Sequence, residues 1–245
     1  MQVIHRRVKA VITYDGSEYY GFQKQKSTQK TVASEIEKAL RSLHIQSTII
    51  ASGRTDAGVH ATGQVIHFDI PHYWLDLKKL TSNLNRKLSH IRCKHISFVA
   101  HDFHARFGAK KRLYRYIFKT VTPSIFEQKY IAQYPTFNEV KLQEALNLFI
   151  GKYDFNMFRK TGTHTHTSLR EIYRAFYIKR DRYHYIYFEA NGFLRAQVRM
   201  MIDTAMQCAR EELSLHALKE QRDCKHKHTS NLAPAQGLYL ARVIY

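Results

Sequence analysis

The chain has 245 residues, 44% apolar and 13% aromatic, with only 10 Gly and 4 Pro, which excludes a disordered, collagen-like or disulfide-stapled protein and suits one large domain or two small ones. Its 39 Lys and Arg against 20 Asp and Glu leave a net charge of +19, the footprint of a polyanion binder with nucleic acid as the leading partner. No apolar run approaches the roughly 18 residues of a spanning helix, neither terminus reads as a lipid anchor or basic amphipathic helix, and Cys93, Cys208 and Cys224 form no framework, so a cytoplasmic protein without membrane attachment is expected.

Val8 to Tyr14 is β-branched and partly alternating and stops at the turn signal Asp15-Gly16-Ser17, so it reads as strand then loop. From Thr31 to Leu43, Val32, Ile36, Ala39, Leu40 and Leu43 recur at helical spacing, with Glu35 and Glu37 early and Lys38 and Arg41 late, as the helix dipole favours. Ser47 to Ala51 reads as a second strand and Gln64 to Asp69 as a third, with the loop Gly53 to His60 between them. Leu77 to Leu88 reads as helix and Lys94 to Val99 as extended, completing a β-α-β-β-α-β order, the ferredoxin-like split.

A second half, from near His101 to Ala105 onward, repeats that order without residue identity. Arg112 to Thr120 is a strand, Asn138 to Ile150 a helix, Glu171 to Arg180 with Tyr183 to Ala190 a tyrosine-rich hairpin, Phe193 to Glu211 a helix and Leu238 to Tyr245 a closing strand. The expected fold is therefore α+β: two tandem ferredoxin-like (RRM-like) halves, residues 1–102 and 103–245, forming a largely antiparallel sheet with a basic cleft between them.

Three segments carry candidate chemistry. In Gly53-Arg54-Thr55-Asp56-Ala57-Gly58-Val59-His60 a carboxylate lies between an Arg two residues before it and a His four residues after it, framed by two glycines; a neighbouring cation would hold Asp56 ionised. An Asx-turn or structural ion pair would use the same residues. Phe103 to Tyr116 packs five Lys and Arg among four Phe and Tyr with no acid, which suits phosphate neutralisation and base stacking, although strand alternation alone would give a charged outer face and an aromatic core face. Arg195 and Arg199 fall at i and i+4 in the first turns of the expected last helix, where cations oppose the macrodipole unless an anion binds. The histidines His164, His166, His226 and His228 with Cys224 lack zinc-site spacing and read as solvated loops, and the shortage of acids near Asp56 argues against a metal-dependent nuclease.

Gly53 to Ala61, GRTDAGVHA, resembles the active-site signature of the tRNA pseudouridine synthase A family. The likeness runs on through Tyr14-Asp15-Gly16-Ser17, Gly21 to Gln25, Asn83-Leu84-Asn85, Phe103 to Tyr116, Gly151 to Phe155 with Phe158, Gly192 to Arg195 with Val198-Arg199, and Ala233 to Leu238. The resemblance implies isomerisation of uridine to pseudouridine at positions 38, 39 and 40 of the tRNA anticodon arm, by a homodimer, with no cofactor and no metal. It implies Asp56 as nucleophile, Arg54 as its ion-pair partner and a substrate contact, and Tyr114 as the ring that stacks on the target uracil. Arg106, Lys110, Lys111, Arg112, Arg195 and Arg199 are expected on phosphates.

The chain departs from the family pattern at Phe22, Ser89, Gln197 and Asp203, where Trp, Pro, Met and Gly are usual. These departures leave room for a diverged second copy with an altered RNA range. Two other readings stand beside synthase activity on the anticodon arm: a non-catalytic tRNA-binding or tRNA-folding module, and a synthase with a different RNA target.

Overall fold

Val8, Ala10, Ile12 and Tyr14 are buried and the residues between them half-buried, so alternation alone places one face of β1 (His5–Tyr14) on the core. The computed structural model describes residues 5–162 and 165–245. It shows a mixed α+β protein whose strands pair almost entirely antiparallel, arranged as two compact units. One unit runs to Lys110 and takes in Leu240–Tyr245; the other covers Lys111–Tyr239.

In the first unit β1 is followed by α1 (Val32–Arg41), a two-residue β2 (Ile50–Ala51), β3 (His60–Pro71), α2 (Leu77–Arg86) and β4 (Ile91–Phe98). β1 lies between β3 and β4, antiparallel to both, and β2 is antiparallel to β3. The order β4-β1-β3-β2 is that of the ferredoxin-like split. Thr31 and Asp76 cap α1 and α2 by accepting from Ser34 N and Lys79 N. Gln64 to Phe68 are buried without a break, so β3 is covered on both faces rather than alternating.

The second unit holds β5 (Lys111–Lys119), a short β6 (Ala132–Gln133) parallel to it, α3 (Glu139–Asn147), β7 (Gly151–Asp154), β8 (Leu169–Arg180), β9 (Tyr183–Ala190), α4 (Gln197–Ala209) and α5 (Leu215–Arg222). The final strand, β10, spans Leu238–Ile244. β5, β9, β8 and β7 are neighbours in that order and antiparallel. Tyr114, Tyr116 and Phe118 share the buried face of β5 with His184, Ile186 and Phe188 of β9, and the Phe118 and His184 rings stack at 5.0 Å. That face and the buried Leu142, Ala145, Leu146, Met201 and Ala205 of the helices form the unit's core.

Two expectations are corrected. The helix expected over Phe193 to Glu211 begins at Gln197, because Ala196 takes a left-handed φ of 60° and Leu194 N donates to Gln197 Oε1. Arg195 and Ala196 thus form a turn, closed by Gln197 N donating to Leu194 O, and Arg195 precedes the helix instead of occupying its first turn. The second is the missed α5, whose N-cap Ser214 accepts from Ala217 N. Among the described residues no helix is long and apolar enough to cross a membrane.

Candidate active site

Asp56 stands half-buried in the irregular loop between β2 and β3, and the residues around it fix the loop from below. Val59 N donates to Asp56 O at 3.2 Å, and Gly58 takes a φ of 75° that closes this tight turn at little steric cost. On the N-terminal side Ser52 N donates to Val65 O, and Gln64 Nε2 donates to Gly53 O at 2.9 Å. Buried Thr55 is held twice: its carbonyl accepts from Phe22 N at 3.1 Å, and its hydroxyl bonds to Tyr14 Oη at 2.8 Å. Burial pushes the Tyr14 phenol up to about 12, so it stays neutral through the physiological range.

The platform under the loop is the segment after β1, and two of its glycines decide how closely the loop can approach. A Cβ on Gly16 would lie 2.1 Å from Val59 O, and one on Gly21 would lie 3.1 Å from Thr55 O, where φ is also 106°. Gly16 N donates to Nδ1 of His60 at 3.0 Å. The same nitrogen lies 3.3 Å from Asp15 Oδ1, so this 1% exposed histidine ties the base of the loop to the turn that follows β1. The sequence pointed to the glycines inside the motif; close backbone approaches also fall on Gly16 and Gly21, which precede it. The Asp15-Gly16-Ser17 and Gly21-Phe22 segments were the available signal.

Arg54 lies exposed beside Asp56 in sequence, but among the described residues no ion pair joins the two. Its guanidinium is held below the usual arginine value by partial desolvation and then by the charge of Arg106. Arg54 and Arg106 thus lie near enough for their charges to repel. Arg106 projects from a built turn: the amides of Arg106 and Phe107 both donate to Nδ1 of His104, Gly108 N donates to His104 O, and Ala105 N donates to Nδ1 of buried His67. The ring of Phe107, 77% exposed, stacks on His104 at 4.4 Å with the Arg106 guanidinium 5.6 Å from its centroid. This outward-facing aromatic was part of the segment singled out in the sequence, yet only the turn shows it unburied. Lys110 is exposed just beyond it.

In the second unit Tyr114 is 8% exposed and meets Phe193 edge to face at 5.1 Å. Arg112 donates to Asn191 O at 2.8 Å, and its guanidinium and that of Arg170 both flank Gly192. Arg170 was not picked out in the sequence. Lys111 is salt-bridged to Glu189 at 3.0 Å. Arg195 donates to Thr161 O, and Arg199 Nε donates to Ala233 O at 2.7 Å, tying α4 to the Ala233 to Leu238 segment. Cys224 bonds to Asp154 O and His228 to Glu220; His164 lies outside the described residues.

The signature of the tRNA pseudouridine synthase family matches residues 10–108 and 145–245. The chain is 37% identical over 237 residues, 96% of its length and 93% of the other's, to a protein of Wolinella succinogenes named tRNA pseudouridine synthase A. It is 38% identical to proteins of the same name in Helicobacter hepaticus, over 97% of this chain and 98% of that one, and in Campylobacter jejuni, over 98% and 100%. A solved Cbf5-Nop10-Gar1 complex is a distant likeness, with a TM-score of 0.36 and 10% identity over 81% of this chain and 45% of that one.

Proposed function

The chain belongs to the tRNA pseudouridine synthase family and is an isomerase of that kind, and on that premise we propose that it converts uridine to pseudouridine at positions 38, 39 and 40 in the anticodon arm of tRNA, with Asp56 as nucleophile. The observation that carries this reading is the clamped loop: Gly16, Gly21, Tyr14 and His60 all serve to hold one half-buried carboxylate in a fixed place. A structural Asp on a surface turn has no need of such a foundation.

The reaction is an isomerisation, so atoms and electrons balance without a redox partner. The bond from N1 to C1′ breaks, the uracil turns while held, C5 joins C1′, the C5 proton leaves to solvent and N1 takes one up. The Asp56 carboxylate adds at C1′ or at C6 and is expelled again, which makes it a covalent catalyst. A base in a stem must first be unstacked at a cost of a few kcal/mol. Tyr114, its plane fixed by Phe193, is the ring assigned to the uracil. Arg54, Arg106, Lys110, Lys111, Arg112, Arg195 and Arg199 are assigned to the RNA, and the mutual repulsion of Arg54 and Arg106 favours a phosphate beside them. The enzyme acts in the cytoplasm as a homodimer, as the family resemblance implies.

The test is tritium release from C5-labelled uridine in an unmodified tRNA transcript, for wild type and Asp56→Asn, with the modified positions mapped chemically. Release confined to the anticodon arm and lost in the variant is expected. Release elsewhere in the RNA would overturn the target; no release despite salt-sensitive binding would leave a tRNA-binding module.

A further inference from the structure

Between α2 and β4, on the first unit, lies a groove of about 620 Å³ lined by Lys78, Thr81, Arg86, Arg92, Lys94 and His95 among others, with no carboxylate in its wall. Residues 77–101 contain six Lys and Arg and not one Asp or Glu. Lys78, Arg86 and Arg92 are exposed, and among the described residues none of the three has an ion-pair partner. Lys94 is the exception in the wall, since its ammonium donates to Thr62 O at 2.7 Å. We infer that this groove is a phosphodiester-binding track that takes up the backbone of the tRNA where it runs on beyond the arm carrying the target uridine.

β4 ends the strand order, and charged side chains on an edge strand commonly serve only to prevent edge-to-edge pairing. That role does not account for Lys78 and Arg86, which reach the same groove from the helix. Hydroxyl and guanidinium donors converging without an acid match the acceptor oxygens of phosphates.

The groove is linked to the Asp56 loop through β1. Arg92 is opposite Thr13 in β1, one residue from Tyr14, whose hydroxyl bonds to Thr55 beside Asp56. His90 O accepts from Asp15 N, and Thr62, which receives Lys94, lies two residues beyond His60. The groove and the Asp56 loop thus lie toward the same end of β1. This inference rests on tRNA being the substrate.

The experiment compares the holoprotein with a groove variant, Lys78→Gln/Arg86→Gln/Arg92→Gln, and with a charge-matched control in exposed positions, Lys219→Gln/Lys225→Gln/Lys227→Gln. Binding of full-length tRNA transcript is measured across a salt series, and backbone protection is read by hydroxyl-radical footprinting. The groove variant is expected to flatten the slope of log K against log salt by roughly 2, to weaken binding about tenfold or more near physiological salt, and to lose protections outside the anticodon arm while keeping those inside it. Equal slopes and footprints for the two variants, with wild type still binding and modifying tRNA, would overturn the groove alone. Failure of wild type to bind or modify tRNA would overturn the substrate reading and this inference with it.

Discussion

Gly16 lies directly beneath Val59: a methyl group on it would sit 2.1 Å from the Val59 carbonyl oxygen and 2.9 Å from His60 N. The Asp56 loop therefore rests backbone on backbone against the segment that follows β1, and a side chain there has no flexible neighbour to displace. Gly16→Ala must lift the Val59 end of the loop. We expect a stability loss of about 1–3 kcal/mol, as for other overpacked sites, and a fall in tritium release of about 10²-fold from misplacement of Asp56 by an ångström or so. Thermal melting and release assays on the same preparation check both; activity within twofold of wild type would show that the loop's position is not set there.

Asp56→Asn keeps shape and removes the carboxylate charge. Turnover should fall by about 10³-fold or more, the scale on which nucleophile deletions act, whereas tRNA affinity should stay within a few-fold of wild type. A variant that binds tRNA and still releases tritium at a tenth of the wild-type rate would remove Asp56 from the covalent role.

Much of this arrangement was legible in the sequence where the determinants are local, and lost where they are not. The hydrophobic spacing from Val32 to Leu43 and the turn after Tyr14 place α1 and β1 within a few residues of their observed ends, and the motif from Gly53 to His60 locates the loop. The contact of Gly16 with Val59 spans 43 residues and leaves no periodic trace. The salt bridge of Lys111 to Glu189, 78 positions away, depends on strand register and has no local signal. Arg195 was placed on a helix because the apolar pattern runs unbroken into α4; the left-handed Ala196 that stops the helix carries no Gly or Asn signal. α5 left no such trace, since Leu215 and Leu218 are too few apolar residues to make a pattern.

Tyr14→Phe isolates the buried hydrogen bond to Thr55. The loss of the bond with its partner left buried should cost about 1–3 kcal/mol, and part of that cost should appear as slower turnover because Thr55 adjoins Asp56. A melting temperature and release rate both equal to wild type would mean that Phe22 N alone holds this side of the loop.

Arg106 and Lys111 should separate in RNA binding although both are cations in one basic segment. Arg106 is exposed on its turn and is repelled by Arg54; Lys111 is held in a salt bridge to Glu189. Arg106→Gln should reduce the salt slope of tRNA binding by about 1, and Lys111→Gln by clearly less. Equal slopes for the two variants would mean that the Lys111 pair opens to RNA.

The turn that presents Arg106 and Phe107 should weaken in acid through His67. Its Nδ1 accepts from Ala105 N at 3.0 Å, and burial first, then the charges of Arg7 and His104, lower its pKa from 6.5 to about 4. The folded protein thus resists protonating a ring that the unfolded chain protonates below pH 6.5. Stability should be constant above that pH, fall as pH drops from 6.5 toward 4, and level off below, with a total loss of up to about 3 kcal/mol from this group. His67→Asn places an amide oxygen near the position of Nδ1 and cannot titrate. Its melting temperature should lie below that of wild type at pH 7.5 and decline less between pH 6.5 and 4.5, and protection of tRNA by the Arg106 turn should follow the same dependence. Parallel pH profiles for the two proteins would show that the acid sensitivity arises elsewhere, and would separate the His67 bond from the positioning of Arg106.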